Sequence, residues 1–572
     1  MDYRQNYEYW LNAPELDEAS RAELQAIADD EQELKSRFGS ALSFGTAGLR
    51  GVMAAGSNRM NVYTVSQATQ GFAEYILANG GQERSVVIAY DCRNNSKLFA
   101  ERAACVMAAN GIQTYLFPEL RPTPLLSFSV LHLGCIAGIN ITASHNPAEY
   151  NGYKAYWEDG AQLSPETADG VSACIRKTDL FCGVKSLSLE EGIASGRIVM
   201  LGEEVDKAYL KAVREQSVDE GLIRRASDVL EVVYTPLYGA GAVLVPRILR
   251  ESGLKKLFIV NEELGPDGNF PGMKNPNPEY PEVFARGIAL ANEKKADLII
   301  ATDPDSDRMG VTVRKTDGSF VTLNGNQIGA LLLHFVINAL KSRDALPSDA
   351  YAIKTLVSTP LTDAICEKNG VSLNVVLTGF KFIGEVIKNH LEAGKGTFLF
   401  GYEESYGYLK GTYARDKDAV VASMLVTEAA AFYMLQGKTL YDALCDLYAE
   451  YGYYYEITES VMMPGHDGAD RIRAILGRLR ADLPEQLGGE RVVFHIDCKS
   501  GRSTDRLTGE EKDVDFPTSD VLYFRTEKNN VVIIRPSGTE PKYKIYFMVN
   551  GKNEEEAKAT VARFKLTTDT WR

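Results

Sequence analysis

The chain has 572 residues, far more than one hydrophobic core usually supports, so length alone predicts about three or four domains. Its 45% hydrophobic and 24% charged residues are ordinary for a globular protein. The formal charge of −15 disfavours general binding to nucleic acid or to an anionic membrane surface, because both would repel the chain at long range. An anionic ligand would therefore have to meet local basic groups.

The N-terminal stretch and the longest apolar stretch bear on where the protein resides. Residues 1–18 have neither the pattern of a signal peptide nor the acid-poor composition of a transit peptide. The apolar stretch at 329–340 is interrupted by His334 and Asn338 and is too short to span a bilayer. We therefore expect a cytoplasmic protein without a membrane partner. The eight cysteines are scattered, so we expect reduced thiols and no zinc site.

A strand, a short helix, a second strand and later a third strand follow one another three times along the chain. The copies begin near residues 84, 228 and 351, and each helix ends near a glycine. This order is typical of right-handed βαβ units, so we predict three related α/β domains with mixed sheets. From about Tyr455, four strand-like runs and one closing helix predict a smaller α+β domain with an antiparallel sheet. The expected domains are residues 1–205, 206–323, 324–454 and 455–572.

The third strand of each copy ends in a cluster of polar residues. The clusters are SHNP at 144–147, DPDSD at 303–307 and GYEES at 401–405. Open α/β sheets bind ligands beyond the carboxyl ends of their strands. The three loops are therefore predicted to face one cleft.

The second cluster has the character of a metal site. It contains three aspartates at alternate positions, namely Asp303, Asp305 and Asp307. Alternate carboxylates on a tight loop converge on one hard cation, and three of them repel one another unless a cation or a base neutralises them. Arg308 and Arg314 stand where an EF-hand loop needs Gly and Glu, which excludes that motif. A solvated acidic turn is the alternative, but an all-oxygen site with few protein ligands favours Mg²⁺, with a phosphate near Arg308.

Ser144 opens the first cluster and is followed at once by His145. A hydrolase nucleophile is one interpretation, but no G-x-S-x-G elbow surrounds the serine, and an adjacent residue is poorly placed to act as its base. A plain turn serine beside Asn146 and Pro147 is another. A serine that carries a phosphoryl group needs charge neutralisation, which a bound divalent ion supplies. Because the other motifs favour phosphate chemistry, we predict a phosphoserine.

Further stretches supply groups for a phosphate or a sugar. RPSGTEP at 535–541 offers an arginine fork, hydroxyls and closely approaching backbone N–H groups, which suit a phosphate dianion. The stretches at 378–384 and 401–405 offer hydroxyl, carboxylate and lysine groups that suit a sugar phosphate. A glycine-punctuated loop at 44–51 carries Arg50. The structural alternatives are a β-turn with a surface arginine and a solvated acidic loop.

Together these stretches resemble the α-D-phosphohexomutase superfamily, and more narrowly its phosphoglucomutases. TASHNP is similar to the family's phosphoserine loop, DPDSDR to its metal loop, GYEES to its sugar loop and RPSGTEP to its C-terminal phosphate loop. The resemblance covers nearly the whole chain. It implies three α/β domains and a C-terminal domain of the TATA-box-binding-protein-like type around a central cleft.

The resemblance also implies roles for single residues. Active enzyme would carry phosphate on Ser144, and that group would hold one Mg²⁺ together with Asp303, Asp305 and Asp307. Lys154, ten positions after the serine, would be the general acid/base, with Arg50 and His145 assisting at the reacting phosphate. The substrate-binding residues would be Arg308, Thr378, Gly379, Lys381, Glu403, Ser405, Lys417, Arg535, Ser537, Gly538 and Thr539.

The implied reaction moves phosphate between C1 and C6 of glucose, a small-molecule sugar phosphate. Phosphoserine 144 would donate its phosphoryl group to a hexose 1-phosphate, giving glucose 1,6-bisphosphate, which turns around and returns its other phosphate. Glu404 at the middle of the sugar loop is similar to the phosphoglucomutase version, whereas the long N-terminal extension resembles a subgroup that also contains phosphopentomutases. Mutases for mannose or ribose phosphates are alternatives. A non-catalytic sugar-phosphate sensor is another, but the complete set of chemical residues disfavours it.

Overall fold

The computed structural model describes residues 2–45, 48–464, 467–537 and 542–571. Within these ranges, four β-sheets follow one another along the chain, with six, five, four and eight strands. Helices connect the parallel strands of the first three sheets, and the fourth sheet is antiparallel. Mixed sheets in three α/β units and a sheet-rich C-terminal unit confirm the fold class that the sequence predicts.

The first sheet belongs to the N-terminal part of the chain. Its strands are β1 (Leu49–Val52), β2 (Ser85–Tyr90), β3 (Gln113–Leu116), β4 (Ala137–Ile141), β5 (Tyr150–Trp157) and β6 (Ile198–Met200). The helices are α1 (Tyr3–Asn12), α2 (Glu18–Ala26), α3 (Glu31–Phe38), α4 (Val62–Ala78), α5 (Ser96–Ala109), α6 (Thr123–His132), α7 (Pro165–Lys177) and α8 (Leu189–Ala194). The strand order is β1-β5-β4-β2-β3-β6, and α1 to α3 form an apolar cluster of their own around Trp10 and Phe38.

The second sheet has the order β11-β10-β9-β7-β8, with strands β7 (Glu231–Thr235), β8 (Lys256–Ile259), β9 (Leu298–Thr302), β10 (Met309–Arg314) and β11 (Phe320–Leu323). Its helices are α9 (Glu203–Arg214), α10 (Leu222–Ala226), α11 (Gly241–Glu251) and α12 (Ala285–Lys294). Two short 3₁₀ turns occur at Asn261–Glu263 and Pro281–Phe284.

The third sheet has the order β13-β12-β14-β15, with strands β12 (Ala350–Thr355), β13 (Ser372–Val376), β14 (Thr397–Glu403) and β15 (Gly407–Leu409). Its helices are α13 (Gly325–Lys341), α14 (Leu361–Asn369), α15 (Phe380–Ala393), α16 (Ala419–Met434) and α17 (Leu440–Tyr451). None of the helices in the described ranges combines the length and the apolar composition that a membrane span requires.

The fourth sheet closes the chain. Its strands are β16 (Tyr453–Met462), β17 (Gln486–Leu487), β18 (Glu490–Asp497), β19 (Arg502–Asp505), β20 (Glu511–Asp513), β21 (Leu522–Thr526), β22 (Val531–Pro536) and β23 (Lys542–Gly551). The helices are α18 (Gly468–Ala481) and α19 (Glu554–Thr568), followed by a 3₁₀ turn at Asp569–Trp571. The predicted closing helix is α19, but sequence reasoning missed α18. α18 buries Ile472, Ile475, Leu476 and Leu479, an apolar stripe at helical spacing.

The first three sheets share one plan that places the predicted loops. In each, a central strand (β2, β7 or β12) pairs in parallel with two neighbours. The neighbour that comes later in the chain is followed by a reversal into an antiparallel partner. The reversals are β4 to β5, β9 to β10 and β14 to β15. Each reversal carries one of the polar clusters that the sequence singles out, so the clusters lie at carboxyl ends of parallel strands.

One buried helix ties the sheets together. α16 is apolar all round, as expected of a helix without a solvent face, and it packs in the largest core cluster with helices α9, α11 and α13. Asp418 caps its N-terminus by accepting the N–H groups of Val420 and Val421 at 2.7 and 3.1 Å. Asp418 also accepts the Tyr209 hydroxyl at 2.8 Å, a contact that joins the third sheet's region to α9. The residue just before this cap, Lys417, is thereby fixed in place.

A glycine allows the loop after β7 to approach the turn after β9. A Cβ added at Gly239 would lie 2.6 Å from Pro304 Cα and 2.7 Å from its carbonyl oxygen. The N–H of Ala240 donates to that same oxygen at 2.8 Å. The aspartate turn is therefore held by a close backbone contact that only glycine permits.

We expect Gly239→Ala to lower the free energy of unfolding by about 1–3 kcal/mol, because the methyl group overpacks a backbone contact. Gly265→Ala is the matched control, since an added Cβ there meets nothing within 4 Å. Thermal unfolding of both variants beside the wild type checks this. Equal transition temperatures for the two variants would contradict it.

Candidate active site

The three aspartates of the turn after β9 form a compact buried group. One carboxylate oxygen from each of Asp303, Asp305 and Asp307 lies within 4.8 Å of the others. Asp305 Oδ1 and Asp307 Oδ1 are buried and have no hydrogen-bond partner among the described residues. Buried polar atoms without a partner are costly, and oxygen atoms of this kind are the ligands of hard cations. The cluster can therefore hold a metal ion.

The turn is shaped by the carboxylate of its first residue. Asp303 Oδ1 accepts the backbone N–H groups of Asp307 and Arg308 at 3.1 and 3.0 Å. Ser306 adopts a left-handed backbone with φ of 52° and donates its N–H to the Asp303 carbonyl at 2.9 Å. Burial, with the neighbouring Asp305 and Asp307, raises the pKa of Asp303 well above its usual value. A cation at the cluster would relieve that repulsion.

Ser144 meets this cluster from the first sheet. Its Oγ donates to Asp303 Oδ2 at 2.9 Å and lies 3.1 Å from His145 Nδ1. The Ser144 backbone is left-handed with φ of 51°, and its N–H donates to Thr142 Oγ1 at 2.8 Å. A non-glycine residue in this region is strained and persists only where the surroundings fix it. The β4–β5 reversal thus presents one hydroxyl to the carboxylates of the second sheet.

Two lysines neutralise part of the carboxylate charge. Lys154, on β5, donates from Nζ to Asp305 Oδ2 at 2.6 Å and to Asp307 Oδ2 at 2.9 Å. Lys417 Nζ lies 3.1 Å from Asp307 Oδ2. Burial opposes the charge on Asp307, but Lys154 and Lys417 outweigh it and hold the pKa of that carboxyl below its usual range. Two of the three lysines that the sequence singles out therefore belong to one ionic group with the aspartates.

The predicted helpers lie beside the serine. Arg50, on β1, donates from Nη1 to the Asn146 side-chain oxygen at 3.0 Å, so its guanidinium is tied to the serine loop. Burial lowers the pKa of His145 well below its usual value, and Arg308 and Arg50 add to that shift. Burial opposes the charge on Arg308, but Asp307 and other carboxylates outweigh it and raise its pKa. A neutral imidazole beside Ser144 and two arginines therefore line this side of the site.

The two stretches of the third sheet meet at one hydrogen bond. Glu403 is buried at the end of β14, and its Oε1 accepts the N–H of Gly379 at 2.8 Å. Burial raises the pKa of Glu403, with Lys417 and Arg308 opposing the shift. Thr378 and Ser405, which adjoin this pair, are half-buried. Lys381 has its Nζ 4.9 Å from the centre of the Phe382 ring, and burial lowers its pKa.

The fourth sheet contributes the end of β22. Arg535 Nη1 donates to the Tyr546 hydroxyl at 3.3 Å, and the N–H of Ser537 donates to the Lys542 carbonyl at 2.8 Å. Burial and Glu403 raise the pKa of Glu404 to about 7, while the charge of Arg535 opposes this shift. The charge of Arg535 therefore acts on Glu404, the middle residue of the predicted sugar stretch. The predicted residues Gly538 and Thr539 lie outside the described residues.

Sequence reasoning missed two residues that hold the site. Thr123, at the start of α6, donates its hydroxyl to Asp305 Oδ2 at 2.7 Å and its N–H to the Asp305 carbonyl at 2.8 Å. Arg93, in the turn after β2, donates to the carbonyl oxygens of the serine loop. Neither carries a motif, because Thr123 is 182 positions from its partner and Arg93 stands in an ordinary polar turn.

Comparisons with known proteins identify the family of the chain. Three profiles of the phosphoglucomutase/phosphomannomutase family, for its alpha/beta/alpha domains I, II and III, match residues 41–181, 207–318 and 324–451. A phosphoglucomutase of Staphylococcus epidermidis is 38% identical over 519 residues, which is 90% of this chain and 92% of that protein. A phosphoglucomutase of Staphylococcus aureus is 35% identical over 538 residues, 92% of each chain.

Solved structures support the fold. A phosphoglucomutase/phosphomannomutase family protein from Burkholderia thailandensis superposes with a TM-score of 0.65 at 19% identity, covering 92% of this chain and 97% of that one. The phosphoprotein pp63/parafusin from Paramecium, in an open form, superposes with a TM-score of 0.68 at 16% identity, covering 93% and 95%. From the three matched domains and the identity over nine-tenths of its length, the chain belongs to the α-D-phosphohexomutase superfamily.

Proposed function

We propose that the protein is a phosphoglucomutase that interconverts α-D-glucose 1-phosphate and glucose 6-phosphate through phosphoserine 144 and a glucose 1,6-bisphosphate intermediate. The relatives from the two staphylococci bear the name phosphoglucomutase and match over nearly the whole chain. One geometric observation carries the proposal. The Ser144 hydroxyl lies 2.9 Å from a carboxylate of a buried aspartate cluster that retains oxygen atoms without partners.

The residues of the cluster fit a magnesium ion. Asp303, Asp305 and Asp307 supply only oxygen ligands, few in number, which is the donor set that Mg²⁺ prefers. We propose that they hold it together with a phosphoryl group on Ser144. When bound, such an ion neutralises charge on the transferring phosphoryl group. Glucose 1,6-bisphosphate would serve as the priming phosphoryl donor.

The chain's own groups account for positioning and proton transfer. Lys154 Nζ is held by two carboxylates beside the serine and is the candidate general acid/base, which gives a proton to the departing Ser144 Oγ and takes one back from the attacking sugar hydroxyl. Neutral His145 lies beside the Ser144 hydroxyl and Arg50 is bonded to Asn146 of the same loop, so both can donate hydrogen bonds to a phosphoryl group on Ser144. The contacts that fix the left-handed backbone at Ser144 hold its Oγ in place before reaction, so the serine loop needs little rearrangement to reach the transition state.

The remaining residues can hold the sugar and its distant phosphate. Glu403 and Ser405 are placed to accept and donate hydrogen bonds to sugar hydroxyls, with Thr378, Gly379 and Lys381 on the adjoining loop. Arg308 and Lys417 add positive charge between the cluster and this loop. We assign the non-reacting phosphate to Arg535, Ser537, Gly538 and Thr539. In each of the two substrate orientations, these residues would then hold the non-reacting phosphate at the same distance from Ser144.

We expect Ser144→Ala to lose mutase turnover while its thermal unfolding stays near that of the wild type, because the hydroxyl is the proposed phosphoryl carrier. Ser129→Ala is the control, since Ser129 is also fully buried but bonds only within its helix. Conversion of glucose 1-phosphate in a coupled assay is the measurement. A Ser144→Ala rate within about tenfold of the wild-type rate would contradict the carrier role.

We expect Asp305→Asn to weaken magnesium binding at least about tenfold, because one ligand loses its charge. Asp317→Asn, on an exposed turn of the same sheet, is the control for removing one carboxylate. Calorimetric titration with Mg²⁺ and the shift of the unfolding temperature on adding Mg²⁺ both read this out without activity. Equal magnesium affinities for the two variants would count against the site.

A panel of sugar phosphates tests the substrate assignment. Glucose 1-phosphate, mannose 1-phosphate and ribose 1-phosphate are compared under one concentration of glucose 1,6-bisphosphate and Mg²⁺. We expect the highest kcat/KM for the glucose compound, since Glu403, which we assign to a hexose hydroxyl, is buried and fixed by the Gly379 N–H. A preference of about tenfold or more for the pentose or the mannose compound would overturn the glucose assignment.

A further inference from the structure

Arg93 stands in the turn after β2 with a completely buried side chain, yet among the described residues it contacts the groups assigned to the reaction only through backbone atoms. Its side chain and that of Asp91 are both 0% exposed. Arg93 Nε lies 3.4 Å from Asp91 Oδ2, and Asp91 Oδ1 accepts the N–H of Arg93 at 2.9 Å and the hydroxyl of Ser96 at 2.7 Å. A buried arginine with one counterion must find hydrogen-bond acceptors for its remaining donors.

Those acceptors are four carbonyl oxygens of the serine loop. Arg93 Nη1 donates to the carbonyls of Pro147 and Tyr150 at 2.8 and 3.0 Å. Nη2 donates to the carbonyl of Ser144 at 2.5 Å and to that of Asn146. The loop from 144 to 150 is therefore wrapped around one planar guanidinium, whose fork fixes the directions of all four carbonyls.

The same guanidinium also contacts the part of the chain that bears the aspartates. Its central carbon lies 5.1 Å from the centre of the Phe270 ring, in the loop between β8 and β9. Next to this contact, Asn94 donates its side-chain amide to Asn269 Oδ1 at 2.9 Å, and a Cβ added at Gly268 would lie 2.3 Å from Asn94 N. Arg93 thus lies where the serine loop of the first sheet and a loop of the second sheet meet.

We infer that Arg93 is a positioning residue for Ser144. It holds the left-handed backbone at Ser144 and the separation between the Ser144 hydroxyl and Asp303. This role rests on the function proposed above, in which that hydroxyl carries phosphate. Lysine cannot replace it, because an ammonium has three donors and no fork, so at least one of the four carbonyls would lose its partner. The loop would then relax and the hydroxyl would move relative to the aspartates.

The test compares Arg93→Lys with Arg314→Lys. Arg314 is a matched control, since its guanidinium also donates to backbone carbonyls, those of Ala291, Ala296 and Gly318. The guanidinium carbon lies 4.3 Å from the centre of the Phe320 ring, and the residue stands at the end of β10 away from the aspartate turn. We expect both substitutions to lower the unfolding temperature. Only Arg93→Lys should lower kcat, by about a hundredfold, with the KM for glucose 1-phosphate within about threefold of wild type.

Hydrogen exchange of the peptide that spans 142–151 completes the test. We expect faster exchange there in Arg93→Lys but not in Arg314→Lys. This measurement needs no substrate, so it tests the positioning of Ser144 independently of activity. Wild-type protein without mutase turnover would overturn the proposed function, but not the positioning role. Unchanged exchange at 142–151 together with a kcat within about threefold of wild type would overturn the positioning role.

A second variant keeps the inference testable if Arg93→Lys does not fold. Phe270→Leu removes the ring beneath the guanidinium and leaves all four carbonyl contacts possible. We expect faster exchange at 142–151 and a smaller loss of kcat, about three- to tenfold, with unfolding still cooperative. Wild-type exchange and wild-type kcat in Phe270→Leu would contradict the inference.

Discussion

The site depends on the crowding of three carboxylates in a buried turn. Asp303, Asp305 and Asp307 lie within a few ångströms of one another, away from water, and two of their oxygens have no partner among the described residues. Lys154 and Lys417 offset part of this charge, and Arg308 adjoins it. The serine hydroxyl of the first sheet completes the group. The negative charge of the three carboxylates explains why basic side chains gather here in a chain whose formal charge is −15.

The same strand reversal, repeated in the first three sheets, brings these groups together. In each of the first three sheets the strand that reverses direction ends in functional residues, and the helices between strands pack into shared cores. α16 is the clearest case, because burying this apolar helix fixes Lys417 directly before its N-terminus. The site therefore draws residues from Arg50 to Ser537, and no single sheet supplies all of the described ones. Close contacts between loops, such as Gly239 on Pro304, set their separation.

Much of this could be predicted from the sequence, because motifs at strand ends are local. The polar clusters at strand ends, the aspartate turn and the choice of Ser144 all follow from short patterns, and the choice of Lys154 follows from the family resemblance. What joins these motifs could not be predicted. Thr123 bonds to Asp305, Arg93 bonds across 51 to 57 positions to the serine loop, and Lys417 pairs with Asp307. Such contacts depend on how sheets pack, and no periodicity encodes that packing.

The central claim is that Ser144 carries a phosphoryl group, and mass spectrometry tests it most directly. Purified chain is incubated with glucose 1,6-bisphosphate and Mg²⁺, and its intact mass and its peptides are measured. The account predicts one added phosphoryl group, located on the peptide that contains Ser144 and absent from Ser144→Ala treated in the same way. A chain that gains no phosphoryl group, or gains it on another residue while mutase turnover proceeds, would contradict the account.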